Sequence, residues 1–278
     1  MQEFIENIKA LSKNAQKIIK LVGKYEKLTE NPIDNVYVLE KTLAEISKVA
    51  ESLPDFDLKE SLRTWVQTKK DELERTREDF RFRFGQQLKQ LLESDGKQMS
   101  GQYPLLRIGL YTLSLNFEFG EATLYFGPEI EKLRSKIPLE PRTVAEIIKK
   151  TDDALKAIKS TPEDIFKDLS EAYEHSLRLT NKSFGEKLLI TEVLHQFVVL
   201  KQTKQFFIDP QRKNFREFSR VMLSYMLYLL KKAHFSERGM KLYIATFDAT
   251  VDKRNAIWIP ENETGEGTYY SHISFDKA

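Results

Sequence analysis

The chain has 278 residues, no cysteine and a formal net charge of +2. The missing thiols exclude a disulfide framework, a zinc–thiolate or iron–sulfur centre and a cysteine nucleophile. Hydrophobic residues at 41% and charged residues at 31% suit long helices that bury one face, in two domains or in one domain carrying an arm.

The first periodic segment places Phe4, Ile8, Leu11, Ala15, Ile18, Val22 and Tyr25 at alternating spacings of four and three, a heptad seam. Asn31-Pro32 disfavours its continuation. A second seam runs through Val36, Leu39, Leu43, Ile46, Ala50 and Leu53 up to Pro54. A third helix is predicted from about Leu58 to Ser94, roughly 55 Å long at 1.5 Å per residue. Its stripe is Leu58, Leu62, Trp65, Leu73, Phe80, Phe84, Leu88 and Leu91, and nine of the eleven residues from Lys69 to Asp79 are charged. The three helices should run up, down and up, with a boundary at Gly96–Gly101.

The period then changes to two. Leu106, Ile108, Leu110, Leu113, Leu115, Phe117 and Phe119 predict one strand ending at Gly120, with Ala122–Phe126 returning as its hairpin partner. Four helices are predicted next. The first starts at Pro141, and the second at Thr161-Pro162-Glu163-Asp164, a capping sequence. The third covers Phe184–Lys201 and the fourth Asn214–His234. Strands at Lys241–Ala249, Ala256–Pro260 and Thr268–Phe275 close the chain. The apolar run at 221–230 is too short for a bilayer, and the opening residues lack a basic segment followed by an apolar one. A cytoplasmic location is the expectation, with no membrane contact.

The fold class predicted is therefore α+β and mostly helical. An antiparallel three-helix, coiled-coil-like arm over 1–97 precedes an α+β body over 98–278. That body has a central β-hairpin, four helices in winged-helix-like order over 141–278 and a C-terminal antiparallel β-meander.

No phosphate loop, nucleophile elbow or His-Glu-x-x-His zinc motif is present, and no two histidines have metal-ligand spacing. No cofactor is expected. Charge is uneven: residues 201–241 hold ten Lys/Arg and three Asp/Glu, so the rest of the chain carries −5. Lys201, Lys204, Arg212, Lys213, Arg216 and Arg220 concentrate six positive charges of the kind that meet phosphates. In a winged-helix order, Asn214, Arg216 and Arg220 would open the groove-reading helix and Lys253 and Arg254 would tip the wing. The same residues could instead form a solvated basic loop or a docking surface for an acidic protein partner, and the apolar run after Arg220 suits a core helix.

Phe82, flanked by Arg81 and Arg83, either anchors a protein interface or packs against the body. Asp248, Asp252 and Glu261, at or after strand ends, could hold Mg²⁺ in a divergent nuclease; the plainer alternative puts Asp248 in solvent and Asp252 in a turn. The leading expectation is a non-catalytic subunit of an intracellular assembly, contacting a protein partner through the arm and nucleic acid through 201–220. The arm could also pair two copies of the chain. A winged-helix regulator and a purely protein-binding scaffold are the alternatives.

Overall fold

A computed structural model describes residues 1–53, 57–158 and 160–276, excluding the side chains of residues 3, 4, 7, 57 and 58. It is an α+β structure. Its residues divide into two compact units, one of 1–95 with 116–121 and 138–145, the other of 96–115, 122–137 and 146–278. Among the described residues no helix is long and apolar enough to cross a membrane.

The first unit is built on α1 (Gln2–Leu28), α2 (Val36–Glu51) and α3 (Asp57–Ser94). α2 packs against both of the others. Its seam is filled as its periodicity demands: Val36, Leu39, Leu43, Ile46, Ala50 and Leu53 are all buried. The seam of α1 behaves differently along its length. Tyr25 is buried and meets Trp65 edge-on at 5.3 Å, whereas Ile8 and Leu11 are exposed. Asn14 bonds to Ser52, just past the end of α2. The residues of α1 before that point thus extend past the shorter helix, which cannot cover them. Phe4 and Leu58, at the starts of the first and third stripes, lie outside the described side chains. The other members of the α3 stripe are buried or half-buried, and Phe80 packs against Tyr37 and Phe84. Burial pushes the Tyr37 phenol up to about 12, while Arg77 pulls it back. The Tyr37 hydroxyl donates to the Phe117 carbonyl at 2.8 Å.

The second unit holds two sheets. The first follows chain order through β1 (Met99–Gln102), β2 (Leu105–Ile108), β3 (Tyr111–Asn116), β4 (Glu121–Phe126) and β5 (Glu131–Pro138). The single strand expected from Leu106 onward is in fact two, because Gly109 adopts φ +54° and turns the chain, pairing Ile108 with Tyr111. The expected hairpin is accordingly part of a five-stranded meander.

In the second sheet β9 (Gly267–Phe275) is central. It pairs with β7 (Met240–Ile244) on one side, and with β6 (Leu188–Leu189) and β8 (Ile257–Pro260) on the other. α4 (Pro141–Lys156), α5 (Pro162–Thr180), α6 (Ile190–Leu200) and α8 (Arg220–Lys232) are the longer helices after β5, α4 beginning within the first unit. α5 starts on the capping box its sequence announces, Thr161 and Asp164 exchanging hydrogen bonds. α8 buries Leu223, Tyr225, Met226, Leu227, Tyr228 and Leu230, and Ser224 donates to the Trp258 carbonyl.

Three further expectations are corrected. The strand predicted over Lys241–Ala249 stops at Ile244, where the register shifts; a short helix, α9 (Phe247–Val251), follows. The helix predicted over Phe184–Lys201 starts only at Ile190, because Leu188 and Leu189 pair with β9. The helix predicted from Asn214 starts at Arg220, where Ser219 accepts the Met222 amide at 3.1 Å. Residues 214–216, expected in its first turn, belong to a different structure.

Candidate nucleic-acid interface

That structure is a pinched excursion over residues 203–216. At the end of α6 the buried Gln202 turns its carboxamide onto the backbone of Arg216. Its Oε1 accepts from the Arg216 amide at 2.8 Å, and its Nε2 donates to the Arg216 carbonyl at 3.1 Å and to the Val198 carbonyl at 2.8 Å. One side chain thus satisfies both main-chain groups of a residue fourteen positions away and joins the two stems of the loop. Thr203 reinforces the neck by donating to the Asn214 carbonyl at 3.3 Å. The same hydroxyl accepts from the Phe206 amide and caps α7 (Lys204–Ile208). Asp209-Pro210 ends that short helix, and Asn214 folds back to the Asp209 carbonyl at 2.8 Å.

The eight cations singled out in the sequence fall into two groups. Lys204, Arg212, Lys213 and Arg216 stand exposed on the excursion. Lys204 has no ion pair among the described residues. Arg212 reaches Glu217 only at 3.9 Å and Lys213 reaches Asp209 only at 4.0 Å, contacts that contribute little at such exposure. Arg216 lies over the Phe218 ring at 5.0 Å. These four point a net positive charge at solvent.

The other four are engaged. Lys201 bonds to Asp168 at 2.6 Å. Arg220 bonds to Glu131 at 3.0 Å and to the carbonyls of Lys253 and Ala256. Lys253 bonds to the same Glu131 at 2.7 Å. Arg254 clasps Asp252 through two nitrogens, which holds that carboxyl below its ordinary value. Arg220 is at the start of α8, and Asn214 and Arg216 precede it. Lys253 and Arg254 sit in the turn between α9 and β8, strands β7 and β8 being separated by β9.

The excursion also carries an aromatic cluster, which its basic composition does not reveal. The Phe206 ring lies 5.7 Å from Phe207 and 5.5 Å from Phe215. Phe207 is 61% and Ile208 77% exposed, an unusual display of apolar surface between basic residues. The signal was present as Lys-Gln-Phe-Phe-Ile-Asp-Pro, an apolar triplet too short to reach across a helix before a proline stops it.

The remaining candidates are placed apart. Phe82 is exposed, with Arg81 over the Phe117 ring at 5.1 Å and Arg83 3.7 Å from Asp34. Arg83 also borders a cavity of about 1120 Å³ in the first unit, with Val38, Lys41, Phe119 and Arg142 among its lining. Asp248, expected on a strand, lies exposed on α9. Asp252 is committed to Arg254. Glu261 accepts from Lys231 and Tyr270; burial opposes its charge, but these bonds keep the carboxyl below its ordinary value. Among the described residues no three His, Asp or Glu side chains are placed to hold a metal ion.

No family model matches the chain, and comparisons with curated proteins and with solved structures return no match.

Proposed function

We propose that the chain is a non-catalytic interaction subunit of a larger cytoplasmic assembly, binding nucleic acid through the 203–216 excursion and a protein partner through the helical arm. The observation that carries the reading is the excursion itself. Four cations that could have been paired, as their neighbours are, stand instead on a loop whose neck is closed by the hydrogen bonds of the buried Gln202 side chain. A polyanion gains from such a set because each phosphate contact releases condensed counterions. The arm supports the second half of the reading. Ile5, Ile8, Leu11 and Ile19 leave apolar surface on α1 uncovered, and Phe82 adds another exposed ring on α3.

A winged-helix reader over 141–278 is less well supported. It would need the start of α8 open to a groove, whereas Arg220 is bound to Glu131 and two carbonyls, and most of the following helix is buried.

The test is fluorescence anisotropy with labelled oligonucleotides of about 20 residues at about 50 mM salt. The full chain should bind, and joint reversal of Lys204, Arg212, Lys213 and Arg216 to Glu should weaken binding by about 1000-fold. Equal affinity in the reversed protein would refute the proposal.

A further inference from the structure

We infer that the excursion is a stacking platform for single-stranded nucleic acid, with Phe207 as its base-contacting ring. The inference rests on the nucleic-acid reading above and narrows it to one form of the ligand.

The geometry of the loop argues against a duplex. Reading the major groove takes an α-helix or a two-stranded ribbon that fits a channel about 12 Å wide. The excursion offers a five-residue helix and one turn of 3₁₀ helix at Arg212–Asn214. Neither is long enough to follow a groove. What it does offer is rings beside cations. Phe206 contacts both Phe207 and Phe215 at interplanar angles of 76° and 58°. The rings brace one another at an angle and do not stack face to face. Phe206 is half-buried at the centre, while Phe207 keeps most of its surface in water. An exposed phenylalanine held by a neighbour is ordered before any ligand arrives, so little side-chain freedom is lost on contact. Every base has a π-face, and single-strand sites combine such rings with a basic track for the backbone. Lys204 precedes the aromatic pair by two residues, and Arg212, Lys213 and Arg216 line the returning stem.

A lipid surface fits less well. Phe207 and Ile208 are followed directly by Asp209, and Glu217 adjoins Arg216. The helix is too short to lay a continuous apolar face into a headgroup layer.

The experiment uses the full chain, a labelled thymidine oligonucleotide of about 20 residues and the same strand annealed to its complement. Phe207→Ala should weaken single-strand binding about tenfold and leave duplex binding unchanged. Phe207→Leu, which keeps apolar area without a π-face, should lose as much, and Phe207→Trp should keep affinity and show quenched emission on binding. Unchanged single-strand affinity in both Phe207→Ala and Phe207→Leu overturns this inference. If the four-fold charge reversal still abolishes binding in that case, the broader nucleic-acid reading survives. Binding to neither oligonucleotide overturns both, as does partition onto phosphatidylserine vesicles in place of oligonucleotide binding.

Discussion

Lys201 and Arg220 flank the cations of the 203–216 excursion in one basic stretch, and Lys253 and Arg254 follow from 33 residues after Arg220, yet the fold uses the two groups in opposite ways. The first four each have a carboxylate at 3.0 Å or less. The second four have carboxylates only at 3.9–4.0 Å or none among the described residues. Charge density along a sequence therefore counts cations without saying which are free to meet a ligand. The one carboxylate that Arg220 and Lys253 share, Glu131, opens β5, some 90 and 120 residues earlier, a pairing no local pattern contains.

The contrast can be broken most forcefully by changing each group in turn. Reversing the four open cations should cost about three orders of magnitude in nucleic-acid affinity while leaving the urea midpoint nearly unchanged. Neutralising Lys201, Lys253 and Arg254 together should change affinity less than about threefold, since those charges are already spent on acids. Comparable losses from the two sets would erase the distinction.

Arg220→Ala comes next. It leaves Glu131 and two carbonyls without their donor, and unfolding free energy should fall by about 2–3 kcal/mol. Gln202→Ala should cost about 1–2 kcal/mol and, unlike Arg220→Ala, should also weaken binding, because it frees the neck that holds the excursion. Protection of the Arg216 amide from hydrogen exchange reports that loss directly.

A smaller and pH-dependent effect concerns Asp152, bonded to Lys97, Lys156 and Tyr111 in the second unit. Burial alone would raise its carboxyl, but the hydrogen bonds and charges of the two lysines hold it below its ordinary value of 3.8. A depressed carboxyl stabilises the fold fully above that value and loses the contribution as pH falls through the lower folded value. Acid unfolding monitored by circular dichroism should therefore shift to higher pH in Lys97→Met and lose this component in Asp152→Asn.

Much of the architecture was legible because it is local. The α2 seam reads off as buried positions since its period belongs to one helix packed between neighbours close in sequence, and Thr161–Asp164 announces α5 because a capping box needs only four residues. The breaks have equally concrete causes. A single glycine, Gly109, divides an apparently continuous alternation. Leu188 and Leu189 leave a helical pattern to pair with a strand more than 80 residues away. The excursion was half visible. Its cations stand out in composition, but its closure depends on one buried glutamine meeting a backbone fourteen residues on, and its aromatic cluster depends on that closure.

Both proposals require that the open cations meet phosphates. The most direct measurement is the dependence of oligonucleotide affinity on salt. With four contacts to a single strand, log affinity should fall with log salt at a slope of about −3, and the four-fold reversed protein should show a slope near zero. A wild-type slope near zero, or the same steep slope in both proteins, would contradict it.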